Sequence, residues 1–88
     1  MDVKYDQATK QVTVIIYHQT SNPQRHFIDK VTMKVNQVAP EIKRASFQKT
    51  AKEQIAIFAT PNLKPGDVIV IEAYCNKGGR LNQQVKIK

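Results

Sequence analysis

The sequence predicts an all-β fold, a two-sheet antiparallel sandwich of seven strands in one domain spanning residues 1–88. Three observations lead there. Apolar residues recur with a period of two almost everywhere, the mark of strands with one buried face. Turn signals interrupt that pattern about every 8–12 residues, the spacing of short sandwich strands. Finally, 88 residues with a hydrophobic share of 41% can close one core and have no room for a second.

Taken in order, Val3 and Tyr5 alternate before the polar turn DQATK. Val12, Val14 and Ile16 then face one way and Thr13, Ile15 and Tyr17 the other, with His18 ending the first row. TSNPQR is a loop, because Asn22-Pro23 starts turns and the stretch carries nothing apolar. In the next strand Phe27, Val31, Met33 and Val35 are expected inside, with Ile28, Lys30, Thr32 and Lys34 on a mostly wetted face. Asn36-Gln37 turns the chain, and Pro40 blocks its continuation.

Short strands are expected over residues 42–47 and 55–59. Helix propensity competes over 45–56 (ASFQKTAKEQIA), but no apolar stripe is sustained, so the reading there is strand, turn, strand. NLKPGD is a strong turn with Pro65-Gly66 at its centre. The most apolar strand covers 68–75 and puts Ile69, Ile71, Ala73 and Cys75 on one row. NKGG reverses the chain, and Leu81, Val85 and Ile87 mark the last strand. Seven such strands give an immunoglobulin-like sandwich in the broad sense, without the tryptophan and disulfide of antibody domains.

The charge is +7, from 14 Lys and Arg against 7 Asp and Glu. Such a surplus favours anionic partners at low ionic strength. The cations stand singly or in pairs, as in Lys43-Arg44 and Lys86 with Lys88, which reads as a solvated surface. Nucleic acid is disfavoured as a partner, since three Phe and three Tyr supply no spaced stacking platform. No stretch approaches the roughly 20 apolar residues of a membrane span. MDVKYD has no apolar signal-peptide core, so the expected compartment is cytoplasmic, or an exported one after removal of a leader. One cysteine excludes an internal disulfide.

Catalysis by side chains alone finds little to work with. Asp29, Asp67 and Glu72 fall on separate segments, Cys75 lacks a nucleophile elbow, and Gly78-Gly79 is a hairpin turn rather than a phosphate loop. No catalytic residue is assigned. Metal binding fares better: His18 ends one strand, His26 begins the next and Cys75 ends a third, so three borderline-to-soft donors are placed to meet at one rim. Two imidazoles and a thiolate suit Fe(II), Zn or Cu. The competing reading makes Cys75 a core residue and the two histidines ordinary loop flanks, with no cofactor at all. A blue-copper site is excluded, because neither His nor Met follows Cys75.

Two sets of residues resemble known families. His26-Phe27-Ile28 with Val31 and Val35, KPGD at 64–67, and Ala73-Tyr74-Cys75-Asn76 resemble the ferrous-iron domain of desulfoferrodoxin and superoxide reductase over residues 12–79. That resemblance implies a seven-stranded immunoglobulin-like sandwich whose iron sits among four histidines and an axial cysteine and reduces superoxide. Cys75 matches the axial cysteine, His26 the histidine before the aromatic, and His18 the histidine opening the same loop, with Gln19 in place of the usual proline. Two ligands have no counterpart. Gly78 stands three residues after the cysteine where the family has histidine, and no histidine precedes His18. The family's mobile glutamate motif is also missing.

HFIDKVTMKVNQ and KPGDVIVIEAYCNKGG are similar as well to the SoxZ-like sulfur-oxidation carrier subunit. That resemblance implies the same architecture, no metal, and pairing with a cysteine-bearing partner chain. The combined expectation is a non-catalytic binding module without a complete iron centre, which takes a partner protein, including through an edge strand, or a metal at His18, His26 and Cys75. The reading set against it is a redox iron protein of superoxide reductase type working with that reduced site.

Overall fold

The computed structural model describes residues 1–36, 38 and 40–87. Among them the chain forms seven strands and no helix: β1 (Asp2–Asp6), β2 (Gln11–Tyr17), β3 (Ile28–Val35), β4 (Glu41–Arg44), β5 (Glu53–Ala59), β6 (Val68–Cys75) and β7 (Arg80–Lys86). No helix is long and apolar enough to cross a membrane. Two antiparallel sheets result, a three-stranded one in the order β1-β2-β5 and a four-stranded one in the order β4-β3-β6-β7.

The alternation in sequence becomes a sandwich-like core because side chains two apart share a face. Val12, Val14 and Ile16 of β2 lie beside Ala56 and Phe58 of β5, with Val12 opposite Phe58 and Val14 opposite Ala56. Met33 of β3 pairs with Ile71, and Val31 with Ala73. These rows from both sheets join in one buried cluster, with Phe58 at its centre fully enclosed. Burying a side chain of that size contributes about 1.5–3 kcal/mol.

Three expectations are corrected. Phe27 does not lead the inward row of β3; Ile28 does, at 2% exposure. The cause is a bulge: Ile28 pairs with Cys75 and Lys30 with Tyr74, leaving Asp29 as an extra residue. One inserted residue flips the face of everything before it. Thr32, expected on the wet face, is nearly buried between its cross-strand neighbours Ile42 and Glu72. The strand expected over 42–47 ends at Arg44, and residues 45–52 run as an irregular segment into β5.

The expected turns take familiar forms. Asp6 Oδ1 accepts the Ala8 and Thr9 amides between β1 and β2, and Asp67 Oδ2 accepts the Lys64 amide in KPGD. Of the turn expected at Asn36-Gln37, Asn36 has φ 49, in the left-handed region that asparagine tolerates; Gln37 lies outside the described residues, as does Lys88.

Candidate metal centre

His18 lies one residue beyond β2, His26 two residues before β3, and Cys75 is the last residue of β6. The sequence placed these three at one rim, and the fold brings them together there. One potential ligand atom from each lies within 4.8 Å of the others, and all three residues are half-buried. The two imidazoles meet edge to face, with centroids 4.9 Å apart and planes at 87°. In a tetrahedral zinc site, bonds of about 2.0–2.3 Å put donors roughly 3.3–3.6 Å apart, so closing the set takes about 1 Å of side-chain movement. The donor set could hold a metal ion through three protein ligands.

Each donor has its own local support. His18 is held by its backbone, whose amide donates to Lys52 O at 3.0 Å in continuation of the β2–β5 ladder. Cys75 is held by the hairpin that follows. Gly78 N–H donates to Cys75 O at 3.0 Å, and Gly78 and Gly79 take φ values of 105° and 97° that side-chain-bearing residues rarely adopt. The Lys77 amide also points at the Cys75 sulfur, 3.5 Å away.

His26 is positioned by Asn76, which sequence reasoning did not single out as a site residue. The Asn76 side chain accepts the Phe27 amide at 3.0 Å and donates to Arg25 O at 2.9 Å, while its own amide donates to Phe27 O at 3.0 Å. Residues 25–27 are thereby clamped to the hairpin that carries Cys75. Its one signal in sequence is its place directly after the cysteine.

Gln48 had no sequence signal at all. It sits in the irregular 45–52 segment, is 2% exposed, and underlies the site. Its Nε2 donates to His18 O at 2.7 Å and to Thr50 O at 2.8 Å, while its Oε1 accepts the Ile28 amide at 3.2 Å. Two carbonyls and one N–H leave no choice in the orientation of this amide. Oε1 therefore faces His18 Nδ1, 2.8 Å away, as an acceptor. In neutral His18 the proton is thus assigned to Nδ1, and the Nε2 lone pair is left for another partner. A hydrogen bond of this kind to the far ring nitrogen is how metal-binding histidines are usually oriented.

Beside the three donors lies an open depression of about 280 Å³, walled by Ile28, Ala73, Gly78, Gly79, Arg80 and Leu81. Among the described residues no carboxylate joins the cluster; Glu72 is engaged with Arg80 at 3.3 Å and with the Tyr74 hydroxyl at 3.0 Å. No family model, curated protein or solved structure matches this chain.

Proposed function

We propose that this chain is a small immunoglobulin-like binding module of the desulfoferrodoxin/SoxZ-like group that holds one transition-metal ion, Fe(II) or Zn(II), at a reduced site of His18, His26 and Cys75, and that it is not itself a catalyst. The convergence of three donors from three separate segments within 4.8 Å carries this reading. The strand order, first-second-fifth in one sheet and fourth-third-sixth-seventh in the other, supports the immunoglobulin-like assignment. The group assignment rests on the HFI, KPGD and AYCN segments.

An ion held by His18, His26 and Cys75 would supply Lewis acidity beside the depression. The protein's own part is to present donors: Gln48 aims His18 Nε2, Asn76 holds the His26 segment, and the β6–β7 hairpin holds the thiol. Two imidazoles fewer than the iron family's set make a different site in geometry and potential, which is why binding rather than superoxide reduction is proposed.

Cobalt(II) titration tests the reading. A sulfur-to-cobalt charge-transfer band should rise to one equivalent and vanish in Cys75→Ser. Saturation without any such band would refute the assignment of Cys75. The open depression favours a second reading, a redox iron protein, which requires that ferrous-loaded protein be oxidised by superoxide in stoichiometric amount.

A further inference from the structure

We infer that the free edge of β5 captures an extended, acidic segment of a partner protein by strand addition. Unpaired edges are usually blunted with charge, proline or brevity. β1 carries Asp2, Lys4 and Asp6 in five residues; β4 is four residues long, with Glu41, Lys43 and Arg44 in it and Pro40 before it. β7 ends in Arg80 and Lys86 around an Asn82-Gln83-Gln84 centre. β5 has none of these devices: after Glu53 it reads QIAIFA, seven residues in all with a single charge at its start.

The direction of its backbone groups follows from the bonds at its ends. His18 N–H donates to Lys52 O, and Thr60 N–H donates to Lys10 O, both in the register of the β2–β5 ladder. Because bonded pairs alternate in an antiparallel ladder, Gln54, Ala56 and Phe58 turn their amides and carbonyls to β2, and Ile55, Ile57 and Ala59 turn theirs outward. Glu53 O is taken by the Thr50 amide, and the Ile55 amide by its neighbour's Gln54 Oε1. Among the described residues, no loop or side chain caps Ile57, which is also 50% exposed.

The space beside that edge defines the partner's chemistry. A groove of about 220 Å³ runs between β5 and β4, bounded by Gln54, Ala56 and Ile57 on one side and Lys43 and Arg44 on the other. Lys43 reaches across it, its ammonium 5.9 Å from the Phe58 ring, and its ion pair among the described residues is an exposed contact of 3.9 Å with Glu41. An added strand alternates its side chains between two environments. One row meets Ile55 and Ile57 on the outer face of the sheet, and the other points over the groove at Lys43 and Arg44. Alternating apolar and acidic residues satisfy both. A second copy of β5 offers Glu53 as its sole carboxylate and so fits less well.

The test is titration of isotope-labelled protein with a synthetic peptide of alternating valine and glutamate, followed by amide resonances, with sedimentation in parallel. Saturable shifts should concentrate on Ile55, Ile57 and Ala59, and binding should weaken as salt is raised. Ile57→Pro removes an outward N–H without touching the ladder to β2 and should abolish binding in a protein that stays folded. Lys43→Glu with Arg44→Glu should weaken binding by about tenfold or more and reverse the preference toward a valine–lysine peptide. No binding at millimolar peptide, shifts centred elsewhere, equal affinity for both peptides, or a β5–β5 dimer broken by Ile57→Pro would each overturn the inference. Metal content plays no part in any of these readouts.

Discussion

The two ends of the β3–β6 pair use amide side chains in the same way but leave different remainders. At one end Asn36 accepts the Val68 amide at 2.9 Å and donates to Asp67 Oδ1 at 3.0 Å, while its own amide donates to Val68 O at 2.8 Å. At the other end Asn76 brackets residues 25–27 in the same style, and Gln48 ties together His18, Ile28 and Thr50. Both arrangements answer the demand that loop backbone leaving a sheet find hydrogen-bond partners. At the Asn36 end the bonding closes on itself. At the Gln48 end it closes around the backbone and leaves two imidazoles and a thiol converging, with the His18 Nε2 lone pair still available. A saturated polar network therefore marks structure at both ends, and the unspent donors mark the candidate site at one.

The largest effect expected from breaking this comparison is that of Gln48→Leu. Stranding the buried Ile28 amide costs about 1–3 kcal/mol, and losing the part-buried bonds to the His18 and Thr50 carbonyls adds to that, so a loss of roughly 3 kcal/mol is expected in denaturant unfolding. The same variant should weaken metal binding by about 10- to 100-fold, the usual consequence of losing an orienting partner. A neutral result would mean that the segment beneath the site is dispensable.

Asn36→Ala comes next. It removes the amide bonds and leaves at φ 49 a side chain that, unlike asparagine's, cannot hydrogen-bond locally to offset the left-handed backbone, for an expected loss of about 1–2 kcal/mol, with metal uptake unchanged. Asn36→Gly should recover the backbone part of that loss. Changed metal uptake in either variant would couple the two ends and spoil the contrast.

Acid unfolding sharpens the description of the Asn36 end. The Asn36 side chain, then the Lys64 amide, hold the Asp67 carboxyl below its ordinary range. A depressed folded value means that the contribution to stability is present above about pH 4, the usual unfolded value, and is lost as pH falls through the folded one. Asp67→Asn should flatten that part of the stability profile, read as unfolding midpoints from pH 6 downward. An unchanged slope would show that Asp67 gains nothing from the Asn36 network.

The smallest expected effect on stability is that of Asn76→Ala, whose lost bonds are solvent-exposed and together contribute about 1 kcal/mol or less. Its consequence should appear instead as weaker metal binding, because His26 loses its clamp.

What could be read from the sequence follows from what alternation encodes. Period-two patterning announces strands and their inward rows, so Val12, Val14, Ile16, Ile69, Ile71 and Ala73 were legible as core. Alternation carries no information on which strands become neighbours across sheets. Nor does it survive an inserted residue, so Asp29 exchanged Ile28 for Phe27 in the core unannounced. In the site, His18, His26 and Cys75 were legible by donor type and by their places at strand ends. Gln48 was not. It lies in a segment with no period, and its role comes from contacts to residues 20 and 30 positions away.

Metal binding by the unspent donors at the Gln48 end is what this proposal rests on. Elemental analysis of protein purified without oxygen and loaded with Fe(II) or Zn(II), beside Cys75→Ser handled identically, tests it most directly. Close to one ion per chain is expected in the parent protein, with loss of that ion in the variant. Metal-free protein in both samples would contradict it and leave Cys75, His18 and His26 as packing.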